Sequence, residues 1–361
     1  MKNFLFNGTL YKTTKTLLEN IKMCVWSAYT GKKAAAPIIW ESLKSIEGLW
    51  AGFYTGLVTC HDGKLHMGKV WGNTDVWSGK FDLADFPGTC GLIHSRTNSG
   101  GDERWSHPFV GSSGKVAIIS QGCSGVFKDR AKPVFEEWGN EMIRQGKKFV
   151  SGIFDLPERY PVLSDGGQVH SAEVGAQAVE YYYEKWGDPL KAVKHVFSEL
   201  TTEAASLFLF ADHPGVIGFA NSNQHIVYQK TADGVYLSIT AAGLPGQMGT
   251  ELPCNSVGLI TPDSITIETL HERYEPLMEI PQGTLSAFLE FVRANPGKLL
   301  GNVADAALKP LFPANTLNCR VTVAYRCLET LLADGKIRIE KEPYTAGKAP
   351  GTVFRLYAAE E

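Results

Sequence analysis

The chain has 361 residues, of which 44% are hydrophobic and 20% charged, and its formal net charge is -3. These values are typical of a globular protein and exclude a chain built mainly to bind nucleic-acid backbone, which needs a basic surplus. The seven cysteines are scattered without zinc-site spacing, so we predict neither a metal site nor a disulfide framework. No motif indicates a cofactor, and this cysteine usage favours a reducing, cytoplasmic compartment.

The N-terminal segment, residues 1–23, contains neither a secretion signal nor a membrane span. Asn7, Gly8 and Thr9 interrupt its apolar residues, whereas a signal peptide needs a continuous apolar run and a small-residue cleavage site. No other part of the chain approaches the ~20 apolar residues of a membrane span, so we predict no membrane partner. Within this segment, the stretch 14–24 has a helical apolar stripe.

The central part of the chain alternates short strands with helices. A helix is predicted over 36–46, and two more over 172–186 and 190–200, from their apolar periodicity. Glycine- and asparagine-rich turns separate the predicted strands, which cover 51–59, 65–71, 91–96, 116–120, 205–211, 216–220, 225–230, 234–239, 258–261 and 264–269. Strands, then two helices, then strands again predict an α+β sandwich.

The last part of the chain has a different pattern, which begins after a proline-containing stretch. Its predicted elements are a helix capped by Thr284 that stops at Asn295, helices over 300–308 and 317–333, and strands over 336–341 and 352–357. Three helices and a two-stranded wing are typical of a winged helix-turn-helix. We therefore predict an N-terminal extension or propeptide at 1–23, a main domain at 24–277 and a winged-helix-like domain at 278–361.

The third helix of the winged-helix-like domain presents polar residues as a DNA-recognition helix would, at Asn318, Arg320, Thr322 and Arg326. DNA-reading helices usually have a cleaner basic face, because phosphate contacts need cations. Here acidic residues interleave with the basic ones, at Glu329, Asp334, Glu340 and Glu342. DNA is therefore the weaker partner hypothesis, and homodimerisation or protein docking is the alternative.

Several short motifs occur in a characteristic order. They are Cys24-Val25-Trp26, Gly52-Phe53-Tyr54-Thr55-Gly56-Leu57, His94-Ser95-Arg96, His107-Pro108 and Ile118-Ile119-Ser120-Gln121-Gly122. Together they resemble the class II glutamine amidotransferase domain, an N-terminal-nucleophile hydrolase, and are similar to the glutaminase half of glucosamine-fructose-6-phosphate aminotransferase without its isomerase domains. The resemblance covers residues 24 to about 270 and implies a four-layer αββα sandwich.

The resemblance implies a role for each motif. Cys24, as a free N-terminal residue, would supply both the nucleophilic thiol and the base, because an α-amino group has a pKa of about 7.7–8.0. Arg96 would hold the substrate carboxylate with a bidentate fork. The Gln121 side chain and the Gly122 N–H would stabilise the oxyanion. A peptide nitrogen cannot act as the base, so all residues before Cys24 must be absent, through cleavage of a propeptide or through translation from Met23.

The substrate-binding end of the motif set departs from the family pattern. Ser99 falls in the segment after the arginine, and Ser171 stands where the family has the aspartate that receives the substrate ammonium. Asp165 or Glu173 is the alternative counter-charge. If neither serves, the substrate is an amide other than glutamine, or the site is inactive.

The function predicted from the sequence is a glutamine amidotransferase-like cysteine amidohydrolase that releases ammonia from glutamine, or from a related amide, through a thioester on Cys24. An ammonia-accepting protein is then an expected partner. The alternative is an inactive or regulatory ligand-binding protein that couples the amidotransferase fold to the winged-helix-like module.

Overall fold

We analysed a computed structural model of the chain. It describes residues 24–49, 51–98, 100–124, 128–154, 160–200, 203–273, 281–312, 320–346 and 349–359. The predicted N-terminal extension, including its helix over 14–24, therefore lies almost wholly outside the described residues. None of the helices in the described ranges combines the length and apolarity needed to cross a membrane.

The described chain folds into antiparallel sheets and helices. The strands are β1 Val25–Gly31, β2 Tyr54–His61, β3 Lys64–Trp71, β4 Cys90–Arg96, β5 Phe109–Val110, β6 Val116–Ser124, β7 Glu203–Phe210, β8 Ile217–Ser222, β9 Val227–Thr231, β10 Gly234–Ser238, β11 Thr250–Glu251, β12 Asn255–Ile260, β13 Ile265–Thr269, β14 Lys298–Leu299, β15 Ile337–Ala346 and β16 Ala349–Ala358. The helices are α1 Ala35–Ile46, α2 Thr74–Ser78, α3 Lys128–Arg144, α4 Ser171–Trp186, α5 Pro189–Ser198, α6 Thr284–Ala294, α7 Leu300–Val303 and α8 Arg320–Ala333.

Two large sheets stack face to face. The first has the strand order β11-β9-β10-β1-β4-β2-β3, and the second has the order β13-β12-β8-β7-β6-β5. Every residue of β1, β4 and β7 is buried, because each of these strands is central and covered on both faces. Helix α1 covers the outer face of the first sheet, and α4 and α5 cover the outer face of the second. This layering agrees with the mixed sandwich predicted from the sequence.

Local sequence signals explain most of the helix ends. The Asp188 side chain accepts a hydrogen bond from the Lys191 N–H at 3.0 Å and caps α5, with Pro189 in the first turn. Helix α3 was not predicted, since Pro133 lies inside it and proline is normally a helix breaker. Thr284 was predicted to cap α6, but it is the first residue of the helix and Gly283 occupies the cap position. The Thr284 hydroxyl donates to the Pro281 carbonyl at 2.5 Å.

The C-terminal elements are α6, α7, α8 and a three-stranded sheet in the order β14-β16-β15. Their apolar residues join the same core cluster as α1 and the first sheet. The closest approach is at Gly48, where an added Cβ would lie 2.1 Å from the Phe354 ring. Since ring and backbone leave no room for a side chain, the C-terminal elements are packed tightly onto the first sheet.

Candidate active site at Cys24

Cys24 lies immediately before β1 and is half-buried. Val25 pairs with Ser95 of β4, so Cys24 lies opposite the carboxyl end of β4, where Arg96 and Thr97 follow. Burial raises the pKa of the Cys24 thiol, while the positive charge of Arg96 and hydrogen bonds from Thr97 counteract that rise in part. The register of two central strands therefore holds the predicted nucleophile beside the predicted carboxylate-binding arginine.

Arg96 is 2% exposed and is held mainly by aromatic rings and neutral oxygens. Its guanidinium lies 4.8 Å from the centre of the Tyr54 ring and 5.6 Å from that of Trp105. Its Nη1 donates to the Gly100 carbonyl at 2.8 Å, and its Nη2 donates to the Tyr160 hydroxyl at 3.3 Å. In the described part of the chain, no carboxylate pairs with this buried cation. Such a cation is a fitting site for an anionic ligand.

A buried carboxylate, that of Glu47, fixes the end of β4, and the sequence analysis did not single it out. Glu47 is 3% exposed and accepts hydrogen bonds from the Ser95 hydroxyl at 3.0 Å and the Thr55 hydroxyl at 3.1 Å. It also accepts from the Thr74 hydroxyl at 2.7 Å. Burial raises the pKa of Glu47, although these hydrogen bonds oppose the shift. The residue next to Arg96 is therefore locked in place.

Two buried imidazoles connect β4 with β6 of the facing sheet. The ring centres of His94 and His107 lie 4.0 Å apart, and the Ser120 N–H donates to Nδ1 of His107 at 3.3 Å. Burial lowers the pKa of His94 to about 3, and the nearby charge of Arg96 adds to the effect. Burial also lowers the pKa of His107 well below its usual value. Both rings are therefore neutral at pH 7 and pack between the two sheets.

Gln121 and Gly122 lie at the end of β6, in the second sheet. Gly122 is exposed and has φ +107°, and a Cβ added there would meet the Glu203 carbonyl oxygen at 1.8 Å. Only glycine fits this close approach, and the pairing of β6 with β7 shifts register between Gly122 and Ser124. The backbone irregularity therefore coincides with the position predicted to bind the oxyanion.

The Gln121 side chain is 1% exposed and is oriented by a loop that was not predicted to matter. Its Nε2 donates to Oε1 of Gln224 at 3.3 Å. The segment from Asn221 to His225, which comprises the end of β8 and the loop that precedes β9, is entirely buried, and Asn223 adopts the left-handed conformation with φ +57°. A polar asparagine-rich run was a loop signal in the sequence, but nothing in it indicated burial against the site.

Ser171 is the first residue of α4 and is half-buried, after His170, whose Nδ1 accepts a hydrogen bond from the Ala172 N–H. Glu173 is not available as a counter-charge for an ammonium, since its carboxylate accepts from the Val150 N–H at 2.7 Å and from Ser151. Asp165 and Ser99 are the remaining candidate residues for substrate binding. Asp165 is exposed and accepts from the Gly167 N–H within a turn, and Ser99 lies outside the described residues.

The helix α8 of the C-terminal region reaches the same site. Burial raises the pKa of the Tyr325 phenol well above its usual value, and a negative charge on neighbouring Cys24 adds to the rise. One turn earlier, the buried Thr322 hydroxyl donates to the Asn223 carbonyl at 3.4 Å. Arg326 forms a bidentate pair with Glu251, with donor–acceptor distances of 2.7 and 3.0 Å. Thr322 and Arg326, two side chains of the candidate DNA-recognition face, therefore contact Asn223 and Glu251 of the same chain.

The chemistry available at this site is that of a thiol, a buried guanidinium and amide groups. Among the described residues, no group of three or more His, Cys, Asp or Glu side chains could hold a metal ion. The described cysteines Cys24, Cys60, Cys90, Cys254 and Cys327 are free thiols. The arrangement suits nucleophilic attack on a substrate that carries a carboxylate.

Comparisons with known proteins relate the chain to amidotransferases. It is 26% identical over 208 residues to the isomerizing glutamine–fructose-6-phosphate aminotransferase of Caldanaerobacter subterraneus subsp. tengcongensis, covering 57% of this chain and 29% of that protein. The corresponding protein of Pyrococcus horikoshii is 24% identical over 208 residues, covering 57% of this chain and 30% of its own length. The chain thus spans less than a third of the length of these curated relatives. No protein-family model matches it.

Solved structures share the fold. The glutamine phosphoribosylpyrophosphate amidotransferase of B. subtilis, complexed with ADP and GMP, has a TM-score of 0.54 and 14% identity, covering 88% of this chain and 66% of that one. A structure described as the allosteric regulatory enzyme of purine biosynthesis has a TM-score of 0.54 and 14% identity, covering 76% of this chain and 59% of its own. The resemblance predicted from the motifs is confirmed: the chain is similar, in sequence and in fold, to class II glutamine amidotransferases.

Proposed function

We propose that this protein, once Cys24 is its first residue, hydrolyses the side-chain amide of glutamine or of a closely related carboxylate-bearing amide. The observation that carries the proposal is the placement of Cys24 opposite the end of β4, beside the buried guanidinium of Arg96, which pairs with no carboxylate of the described residues. A nucleophile and a carboxylate anchor on adjacent central strands define both ends of such a substrate.

The first half-reaction uses the two functional groups of Cys24. Its α-amino group takes the thiol proton, and the sulfur attacks the amide carbon to form a tetrahedral oxyanion. The protonated α-amine then gives its proton to the leaving nitrogen, the C–N bond breaks, and ammonia departs from a thioester. Water, activated by the same amine, attacks the thioester and releases the acid and the thiol. The sum is amide plus water giving carboxylic acid plus ammonia.

The other proposed site residues bind rather than react. Arg96 holds the substrate carboxylate, and the Gln121 amide and the Gly122 N–H donate to the oxyanion, where one donor typically contributes roughly 10²–10³ in rate. Ser99 and Ser171 contact the α-substituent of the substrate. Because Ser171 carries no charge, the substrate ammonium is held less tightly than an aspartate would hold it.

The remaining parts of the proposal concern context. Residues 1–23 are removed or are never made, since a peptide nitrogen has no basic lone pair. The segment 24–277 forms the amidohydrolase and 278–361 a winged-helix-like domain. The released ammonia passes to a partner protein, in a reducing, cytoplasmic setting that the free thiols support. Thr322 and Arg326 are occupied by contacts within the chain, which weighs against their reading DNA.

The test is ammonia release from glutamine by protein that begins at Cys24, with intact mass spectrometry to verify the N-terminus. We expect turnover from this form and none from the form with residues 1–23 attached. Cys24→Ala abolishes turnover, a loss of at least 10³-fold, because the residue supplies the nucleophile. The matched control is Cys60→Ala at the opposite end of the first sheet, which keeps full turnover.

Two results would contradict the proposal at different levels. Turnover that survives Cys24→Ala would remove Cys24 as the nucleophile. Turnover of amides without an α-ammonium, such as glutaramate, together with none of glutamine, would keep the chemistry but replace the substrate.

A further inference from the structure

The helix α8 contacts the loop that precedes β9 through buried groups. Tyr325 of α8 is fully buried, and its ring lies nearly parallel to that of His225, with centres 6.0 Å apart and an interplanar angle of 13°. Thr322 lies one helical turn earlier on the same face and donates to the Asn223 carbonyl. A single helix face of the C-terminal region therefore contacts this loop at two points.

The same loop reaches the predicted oxyanion residue. Gln224 follows Asn223 and accepts the hydrogen bond from Nε2 of Gln121. The loop itself is held by main-chain contacts, since the Asn223 N–H donates to the Cys254 carbonyl at 2.8 Å and the Asn221 side chain donates to the Pro253 carbonyl at 3.1 Å. A displacement of α8 would therefore be transmitted through two adjacent loop residues to the Gln121 amide.

A buried charge cluster fixes α8 to the loop. His225, whose side chain is 2% exposed, has Nε2 3.0 Å from Glu329 of α8 and Nδ1 3.1 Å from Glu251 of β11, the latter within ion-pair distance though outside hydrogen-bond geometry. Glu329 also accepts from the Thr240 hydroxyl at 2.7 Å and the Ala241 N–H at 2.8 Å. Arg326 completes the cluster through its pair with Glu251. Each buried charge therefore faces an opposite charge.

Apolar contacts also hold the C-terminal region against the residues that follow α1. Gly48 follows α1 and the Phe354 ring of β16 fills the space where a side chain would be. Glu47, the neighbour of Gly48, is the buried carboxylate that accepts from Ser95 beside Arg96. The packing of β16 is thus one residue away from the group that fixes the end of β4.

We propose that the C-terminal helix α8 is a part of the active site: α8 fixes the 221–225 segment through Thr322 and the His225–Glu329 pair, and Gln224 of that segment orients the Gln121 amide. Gln224 and His225 are positioning residues, which act through Gln121, and Tyr325 packs against the His225 ring. The inference rests on the proposed function in taking Cys24 as the nucleophile and Gln121 as an oxyanion donor. It assigns the C-terminal region a direct effect on the chemical step rather than a separate binding task.

The experiment uses the full chain beginning at Cys24, with Tyr325→Phe, Gln224→Leu and Glu329→Gln. Tyr325→Phe keeps the ring and removes only the hydroxyl, while Gln224→Leu removes the acceptor of the Gln121 amide at similar volume. The control is Thr330→Ala, which changes an exposed residue on the same helix, next to Glu329. For each protein, kcat and KM for glutamine are measured separately, together with the rate at which iodoacetamide alkylates Cys24.

We expect kcat to fall at least tenfold in Gln224→Leu and Tyr325→Phe, with KM within twofold, because orientation of the chemical groups changes while Arg96 still binds the carboxylate. Alkylation of Cys24 changes at least threefold in Tyr325→Phe and Glu329→Gln. Thr330→Ala matches the wild type in both measurements. A purely structural role predicts instead that kcat falls only as the folded fraction falls, which thermal unfolding measures.

The outcomes separate the inference from the proposed function. Full kcat and unchanged alkylation in all three folded variants would overturn the inference, while turnover lost in Cys24→Ala would leave the function intact. If the wild type releases no ammonia from any amide, the function fails, and alkylation rates that still respond to the α8 variants would support an influence of α8 on the Cys24 site.

Discussion

Two arginines of this protein, Arg96 and Arg326, lie close to the same site in opposite electrostatic situations. Arg96 is surrounded by the rings of Tyr54 and Trp105 and by neutral oxygens, with no carboxylate partner in the described ranges. Arg326 is half-buried and forms a bidentate ion pair with Glu251. An arginine that is paired with a carboxylate of the protein stabilises the folded structure. A buried arginine without such a carboxylate can instead bind an anionic group of a ligand.

The difference shows how ligand-binding and docking groups are distinguished by physical chemistry. Burying a guanidinium without a counter-charge costs stability, and aromatic faces offset only a part of that cost. We therefore expect a ligand to supply the anion that pairs with Arg96. Arg326 and its cluster are already satisfied, which suits a permanent contact between α8 and the main domain.

The largest expected effect is the loss of activity when Arg96 is replaced. Arg96→Lys keeps the charge but loses the planar fork and the ring stacking, so kcat/KM for glutamine falls roughly 10²–10³-fold, mostly through KM. Steady-state assays of ammonia release measure this. The control is Arg104→Lys, an exposed arginine that pairs with Asp102, for which activity stays at the wild-type level. An equal loss in both variants would remove the distinction drawn for Arg96.

A smaller effect, on stability, is expected at Arg326. Arg326→Met leaves Glu251 without one of its two cations, and the free energy of unfolding falls by about 2 kcal/mol, below the cost at a fully buried pair. Urea denaturation measures it, and the double variant Arg326→Met with Glu251→Gln recovers part of the loss. A single variant as stable as the wild type would show that the pair contributes nothing to docking.

The third expected effect is the pH dependence of the same cluster. Burial disfavours a charge on His225, but Glu251 and Glu329 outweigh it and raise its pKa from 6.5 to about 9. Burial would raise the pKa of Glu251, but His225 and Arg326 lower it from 4.5 to about 2. The stability that charged His225 adds to the folded protein is complete below pH 6.5 and is lost as pH rises through about 9. The stability that ionised Glu251 adds is complete above pH 4.5 and is lost as pH falls through about 2.

The stability that the cluster adds is therefore largest between pH 4.5 and 6.5. It is measured as the difference in free energy of unfolding between the wild type and His225→Asn across that range, and it declines toward pH 9. A difference that is constant from pH 5 to pH 9 would show that His225 is not charged in the folded protein.

The sequence alone predicted much of the fold because the main elements have strong local periodicity. Helices α1, α4 and α5 and most strands of the two large sheets occur within a few residues of their predicted positions. Helix α3 was missed because Pro133 contradicts a local rule, and the surrounding packing overrides that rule. The winged-helix-like domain and the domain limits at 277 and 278 remain predictions.

The sequence by itself determined which residues are candidates for the chemistry: Cys24, Arg96 and the Gln121-Gly122 pair are recognisable from order and spacing. Only the tertiary structure decided what surrounds them, since the rings beside Arg96 come from another strand, at Tyr54, and from a separate turn, at Trp105. The segment that contacts Gln121 is itself held by α8, a helix about 300 residues after Cys24. A local sequence pattern indicates whether a segment forms a helix or a strand and which side chains it carries. Burial and charge pairing depend on packing between segments that are far apart in the sequence, and a short motif holds no information about that packing.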